Sequence, residues 1–229
     1  MRLRQKKLFV GLVCLLSLIG LVCSASADVV VNGDFEKMDN TGFTSAYTYV
    51  TATGDHALFA ETTYAVGTNS LSYHSAWSGP AGSGFTAHDG SYMIIVNGAI
   101  STGEQVWAEA GRPVLANTTY YFSAWVASSY PESPAQLRFS INGNQIGATI
   151  TASSKVGQWD QFYATWNSGG LTMADLALVN INTAASGNDF CLDSIKMVTA
   201  PVPLPSTILL LGSGLVGLGF LRRKWGLKK

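Results

Sequence analysis

Alternation of apolar and polar residues with a period of two runs through the middle of the chain. Residues 137–141 alternate Leu, Phe and Ile with polar residues, which predicts a strand with one buried face. Asn142-Gly143 follows, a dipeptide that tolerates the positive φ of a tight hairpin turn, and residues 145–150 predict the returning strand. Further strands are predicted at 92–96, 105–109, 119–128, 160–166, 176–181 and 190–198. Because no helical stripe of useful length occurs here, we predict an all-β fold, a β-sandwich or jelly roll.

The amino-terminal segment has the pattern of an export signal. Four basic residues precede an apolar run over 8–23, and Ala25-Ser26-Ala27 supplies the small residues that signal peptidase requires. We therefore predict a signal peptide over 1–27, removed before Asp28. A lipoprotein modified at Cys23 is the alternative, although Gly20 and Val22 fit a lipobox poorly.

The carboxyl-terminal segment has the pattern of a membrane anchor. Residues 200–205 are rich in proline, which prevents helix propagation. The sixteen residues 206–221 carry no charge and predict a transmembrane helix, somewhat short of the ~20 residues that span a bilayer. The basic tail over 222–229 predicts a cytoplasmic end, so the intervening domain over 28–199 is expected outside the inner membrane.

This order of proline motif, apolar helix and arginine cluster resembles the PEP-CTERM sorting signal of Gram-negative bacteria. The residues that carry the resemblance are Val202, Pro203, Pro205, Ser206, Arg222 and Arg223. Leu204 stands where the family usually has Glu. The resemblance implies recognition by an exosortase-type processing enzyme in bacteria that make exopolysaccharide. An ordinary single-pass anchor is the alternative.

The charge of the exported domain is strongly negative, although the whole chain has a formal net charge of +0. Residues 28–199 contain five basic residues against fourteen acidic ones, which leaves a net charge of −9. Nucleic acid is therefore excluded as a partner, because phosphate binding needs a basic surface. Cys191 is the only cysteine of this domain, so no internal disulfide can form, and its apolar segment favours a buried thiol over a reactive one.

A second resemblance covers most of the domain. Four segments resemble landmarks of carbohydrate-binding modules with the galactose-binding-like jelly roll: 32–36 (Asn-Gly-Asp-Phe-Glu), 117–126, 157–162 and 190–195. In such modules a calcium ion ties the first strand to the last. The resemblance implies a structural calcium site here, with carboxylates from Glu36 and Asp193 and further oxygens from backbone carbonyls or water. The alternative is an Asp193 carboxylate that is solvated at a strand edge.

Glycan binding would need exposed aromatic rings. Several aromatic residues lie in loops rich in glycine, serine and proline, where core packing explains them less easily. The candidates are Tyr47, Tyr73, Trp77 and Tyr130, with core packing as the alternative for each. Tryptophans within predicted strands, namely Trp107, Trp125, Trp159 and Trp166, are interpreted as packing residues.

The sequence offers no convincing catalytic constellation. The three histidines share no metal-ligand spacing, and Glu104 and Glu109 would point to opposite faces of one strand. We therefore predict a protein that is not an enzyme. The expected function is that of an exported surface or matrix protein, associated with adhesion or exopolysaccharide. A carbohydrate-binding protein with a defined glycan is the first alternative, and a polysaccharide-active enzyme is the second.

Overall fold

The protein is described by a computed structural model that covers residues 27–79 and 82–199. This part of the chain contains strands and one short 3-10 helix, Ser70–Ser72, but no α-helix. The strands are β1 (Thr48–Tyr49), β2 (Thr63–Gly67), β3 (Met93–Asn97), β4 (Gln105–Pro113), β5 (Thr119–Ser128), β6 (Gln136–Ile141), β7 (Asn144–Thr151), β8 (Asp160–Asn167), β9 (Met173–Asn180) and β10 (Phe190–Thr199). The predicted all-β class is confirmed.

The strands form two sheets. One has six strands in the order β1-β2-β3-β10-β5-β8, and the other has four in the order β4-β9-β6-β7. Neighbouring strands pair antiparallel, except for the short parallel pair β1–β2. Since β10 pairs with both β3 and β5, the end of the domain lies in the middle of the six-stranded sheet. The arrangement is a jelly-roll β-sandwich.

The sequence predicted most strand positions closely. The hairpin turn between β6 and β7 lies at Asn142 and Gly143, whose φ angles are 52° and 76°, as the two positive values of a tight turn require. Strand β4 continues to Pro113 and β9 begins at Met173, four residues and three residues beyond the respective predicted limits. Strands β1 and β2 were not predicted, because the segment before residue 68 has no clear alternation.

The main core lies between the two sheets. Rings from both sheets meet there: Phe122 of β5 lies 4.2 Å from Phe139 of β6, and Phe162 of β8 lies 4.8 Å from Phe139, measured between ring centroids. Trp107 of β4 is fully buried beside them. Replacing one such ring by alanine typically costs about 3–5 kcal/mol, so this cluster holds the two sheets together.

A second apolar cluster lies on the outer face of the six-stranded sheet, the face directed away from the other sheet. Here residues 50–60 and 68–79, which we call the covering segments, pack over β2, β3 and β10. The cluster consists of Leu58, Ala65, Tyr73, Trp77, Met93, Ile95 and Cys191, all buried. The predicted buried thiol of Cys191 is confirmed, and burial raises its pKa well above the ordinary value.

No helix within the described ranges 27–79 and 82–199 has the length and apolar character needed to cross a bilayer. The predicted transmembrane helix over 206–221 and the sorting residues lie outside the described residues. The predicted signal peptide lies outside them as well, except for its last residue, Ala27.

Candidate functional site

The opening motif, residues 32–36, joins the start of the domain to the last strand. The Ile195 amide donates to the Gly33 carbonyl at 2.8 Å, and the Val29 amide donates to the Met197 carbonyl at 2.9 Å. A Cβ atom at Gly33 would lie 2.0 Å from the Ile195 carbonyl oxygen, so this close approach requires glycine. Phe35 is fully buried in the main core. The motif is therefore a structural joint.

Two carboxylates of this joint hold one loop between them. Oε1 of Glu36 accepts hydrogen bonds from the amides of Ser91 and Tyr92, at 2.6 and 2.8 Å. On the other side, Oδ2 of Asp193 accepts a hydrogen bond from the Asp89 amide at 3.0 Å. Glu36 and Asp193, which the sequence predicted as calcium ligands, thus converge on the loop 89–92.

Asp193 is a buried carboxylate without a basic partner among the described residues. It is 0% exposed, and burial raises its pKa to about 6, with backbone amides and the charge of Asp89 as smaller influences. A bound cation would remove the cost of burying this charge. All recorded hydrogen bonds of Glu36 involve Oε1, which leaves Oε2 available. The pair therefore fits calcium chemistry, although no group of three or more His, Cys, Asp or Glu in the described part has the geometry of a metal site.

The structure places three of the four predicted glycan contacts in the interior. Tyr47, Tyr73 and Trp77 are 4%, 6% and 1% exposed. The Tyr47 hydroxyl accepts a hydrogen bond from the Ala99 amide, and that of Tyr73 donates to the Val66 carbonyl. As stacking platforms for a glycan these three are corrected to core residues. Tyr47 packs in the main core between the sheets, whereas Tyr73 and Trp77 belong to a covering segment that folds over the outer face of the six-stranded sheet. Tyr130 stays partly exposed at the edge of the second cluster.

Exposed aromatic rings lie instead on the outer face of β5 and β8, which the covering segments leave open. Tyr121 and Tyr163 stack with centroids 4.8 Å apart and an interplanar angle of 22°. Tyr163 is 58% exposed, whereas Tyr121 and Trp125 are partly buried. In the β5–β8 register Tyr163 lies opposite Ser123, so it sits diagonally between Tyr121 and Trp125. We call Tyr121, Trp125 and Tyr163 the outer aromatic row.

The row is extended at one end by a histidine and a further tryptophan. His88 stacks on Trp125 with centroids 3.7 Å apart and an interplanar angle of 16°. Trp159 packs edge-on to His88, and its indole nitrogen donates to the Thr86 carbonyl at 3.2 Å. Trp125 therefore packs against His88 on the outer face of β5, where it stays partly exposed beside Tyr121 and Tyr163.

Polar side chains lie on the same face as the row. Gln161 is opposite Trp125, Thr165 is opposite Tyr121, and Lys196 of β10 is opposite Ser123. Rings bordered by hydrogen-bonding groups can offer apolar stacking and polar contacts to one ligand. The four-stranded sheet has no equivalent, since its only two aromatic residues, Trp107 and Phe139, are buried in the main core.

The alternation of residues in β8 predicts an exposed ring in this row. In β8, Phe162, Ala164 and Trp166 form the core face, while Tyr163 shares the other face with Gln161 and Thr165. A tyrosine on the polar face of an alternating strand indicates an exposed ring. Strand β5 also carries aromatic residues on both faces, with Tyr120 and Phe122 in the core and Tyr121 and Trp125 on the outer face.

Glu109, one of the two acids considered for catalysis, has structural partners. Glu109 is 3% exposed, and both of its carboxylate oxygens accept from the Val31 amide, at 2.9 and 3.1 Å. Arg112 lies 3.2 Å from this carboxylate. Burial raises the pKa of Glu109 to about 7. Glu109 therefore anchors the first segment of the domain to β4.

Comparison with protein families identifies the carboxyl-terminal signal. Residues 201–224 match the model of the PEP-CTERM protein-sorting motif. This confirms the resemblance on which Val202, Pro203, Pro205, Ser206, Arg222 and Arg223 were singled out. The motif indicates export with surface or membrane association. A search of curated proteins finds no significant match.

Solved structures similar to the sandwich come from proteins of several kinds. The CBM22-1 xylan-binding domain from Paenibacillus barcinonensis Xyn10C is 14% identical with a TM-score of 0.50, covering 80% of this chain and 100% of its own. A cyclase from Fischerella sp. TAU is 12% identical with a TM-score of 0.52, covering 78% and 100%. The arabinose-bound α-L-arabinofuranosidase MgGH51 is 9% identical with a TM-score of 0.51, covering 77% and 27%. At these identities the likeness establishes the jelly-roll fold that carbohydrate-binding modules share, and it leaves function to the site.

Proposed function

We propose that this protein is an exported surface or matrix protein, processed by an exosortase-type enzyme, whose sandwich binds extracellular polysaccharide through the outer aromatic row. The observation that carries the binding proposal is the exposed stack of Tyr121 and Tyr163 beside Trp125. An exposed ring of this size adds little to folding, whereas its apolar face suits the C–H groups of a sugar ring.

The charge of the domain favours a neutral glycan over an anionic one. The net charge of −9 would repel a polysaccharide rich in carboxylates or sulfates. Gln161, Thr165 and Ser123 next to the row are uncharged hydrogen-bonding groups. Two charged residues of β10 lie in register with the row, the exposed Lys196 opposite Ser123 and the buried Asp193 opposite Trp125. Contacts of this kind suit hydroxyl groups.

The binding proposal is tested by retention on insoluble cellulose, xylan and chitin. We expect the wild-type protein to be retained on at least one of them, and Tyr163→Ala to weaken retention by about tenfold, equal to about 1.4 kcal/mol. Phe59→Ala is the matched control, because Phe59 is a ring with 67% exposure located in a covering segment. Equal losses for both variants, or none for Tyr163→Ala, would contradict the assignment.

The sorting proposal is tested separately in the cell. Fractionation and carboxyl-terminal mass mapping are compared between a host with an exosortase and a host without it. We expect the residues after the motif to be absent from the mature protein only in the host with the enzyme. Identical termini in both hosts would refute processing and would leave an ordinary anchor.

We also propose that a structural calcium ion is bound by Glu36 and Asp193. When bound, the ion would neutralise two carboxylates at the joint between the first segment and β10. The chain's own contribution is the buried Asp193 carboxylate, held by the Asp89 amide, and the free Oε2 of Glu36. The ion would stabilise the fold without taking part in glycan binding.

A further inference from the structure

A second pair of acidic residues lies at the other end of the covered sheet, outside the joint just described. Glu61 precedes β2 and Asp189 precedes β10. The Thr62 amide donates to the Gly98 carbonyl at 3.1 Å, and the Gly98 amide in turn donates to the Asp189 carboxylate. These bonds connect the segments that carry the two acids, and the charge of Glu61 influences Asp189.

Neither carboxylate has an ion-pair partner among the described residues. Asp189 is 9% exposed and accepts hydrogen bonds from the indole nitrogen of Trp77 and from the Gly98 amide. Oε2 of Glu61 is buried and has no hydrogen-bond partner. Burial, with a smaller contribution from Glu61, raises the pKa of Asp189 to about 7, and burial also raises that of Glu61. The buried Asp189 and the partly buried Glu61 thus have no compensating charge among the described residues.

A buried amide oxygen at the same place is also without a partner. Asn97 is 6% exposed, and its Nδ2 donates to the carbonyls of Leu58 and Phe59, the residues shortly before Glu61. Its Oδ1 accepts no hydrogen bond. Because Phe190 lies opposite Val96, the register continues with Asp189 opposite Asn97 on the outer face. This buried amide oxygen next to Asp189 therefore needs a partner that the described residues do not supply.

We propose that Glu61, Asp189 and Asn97 form a binding site for a divalent cation of the calcium type. Carboxylate and amide oxygens are the ligands that calcium prefers, and water can complete its six to eight contacts. With only two acidic ligands, this site differs from clusters of three or more His, Cys, Asp or Glu, of which the described part has none. The cation would connect Glu61, which directly follows the covering segment 50–60, to the start of β10, independently of Glu36 and Asp193.

Terbium is a suitable probe, because it replaces calcium and emits when a nearby tryptophan transfers energy to it. Trp77 touches Asp189, so an ion at this site would be sensitised by it. Purified full-length protein is titrated with terbium alone and then with calcium as competitor. We expect Glu61→Gln and Asp189→Asn each to weaken this binding by at least about tenfold, equal to about 1.4 kcal/mol. Glu36→Gln should retain the terbium emission that is lost in Asp189→Asn. Glu132→Gln is the control for the loss of one exposed negative charge.

Thermal unfolding of the same variants provides a readout that a folding defect cannot imitate. Glu61→Gln and Asp189→Asn remove an uncompensated buried charge, so without metal their Tm should rise above that of the wild type. With calcium, the wild-type Tm should rise by more than that of either variant. If the wild type binds no ion, or if both variants keep its affinity, the proposal is overturned. A Tm difference without any calcium dependence would also overturn it, since two acids that share a proton would behave in this way.

Discussion

The outer face of the six-stranded sheet has two halves with different residues. Over β2, β3 and β10 the outward side chains include Ala65, Met93, Ile95 and Cys191, all buried beneath the covering segments. Over β5 and β8 the same face carries tyrosine, tryptophan, serine, glutamine and threonine, and the covering segments do not reach it, although His88 packs on Trp125. Packing explains the residues of the covered half. It does not explain the exposed Tyr163 of the open half, which the proposed glycan binding would explain.

The largest difference in stability between the halves is expected when Trp77 and Trp125 are each replaced by alanine. Trp77 is 1% exposed and joins the covering segment to Asp189, whereas Trp125 is partly buried with His88 on its surface. We expect Trp77→Ala to lower the free energy of unfolding by about 3–5 kcal/mol. Trp125→Ala should cost about 1 kcal/mol, as for a surface-facing ring. Urea denaturation of both variants measures the two values, and equal losses would mean that the open half is also covered.

The next largest effect on stability is expected at β10, the strand between the covered half and the open half. Asp193 lies on it between the halves, opposite Trp125. If calcium is bound there, an ion present at a hundredfold excess over its Kd stabilises the fold by about 2.7 kcal/mol. We expect a chelator to lower the Tm of the wild type, and to lower it less in Asp193→Ala or Glu36→Gln. An identical effect of the chelator on the wild type and on both variants would rule out the joint as a calcium site.

A smaller change in the free energy of unfolding is expected when the pH is lowered, because His74 lies in the covered half. Nδ1 of His74 accepts a hydrogen bond from the Ala76 amide at 3.2 Å, and its ring stacks on Trp77. Burial lowers the pKa of His74 below 6.5, so its neutral form stabilises the fold above that pH. This stability is lost as the pH falls through 6.5, when the unfolded chain gains the proton more readily. Because His74 is partly solvated, we expect only a few tenths of a kcal/mol.

The His74 effect is measured as a difference between proteins. Buried acids such as Glu109, with raised pKa values, act in the opposite direction, because protonation at low pH relieves their burial. The unfolding free energy of the wild type minus that of His74→Asn removes this common background. This difference should fall between pH 7.5 and 5.5. If it rises instead, the assigned direction for His74 is incorrect.

The sequence predicted the strands better than it predicted which faces are open. Alternation in β6 and β8 and the turn at Asn142-Gly143 are local features, so they could be interpreted directly. Whether Trp77 or Tyr163 is exposed depends on where a distant loop packs. The loop around Trp77 has the composition of a solvated segment, yet Ser70 within it donates to the Trp77 carbonyl and buries the ring. Glu36 and Asp193 were found because a resemblance supplied their partnership, which no local pattern contains.

At Tyr163 a small effect on stability is expected together with a large effect on binding. Tyr163 is 58% exposed and its main ring contact is Tyr121. Stacked aromatic pairs are worth about 0.5–1.5 kcal/mol, and exposure places this pair at the lower end. We therefore expect Tyr163→Ala to change the free energy of unfolding by no more than about 0.5 kcal/mol, while weakening retention on polysaccharide. A double-mutant cycle with Tyr121→Ala isolates the coupling of the two rings in each measurement. If the cycle shows strong coupling in stability and none in binding, the row belongs to the packing of the sheet, and the distinction between its two halves fails.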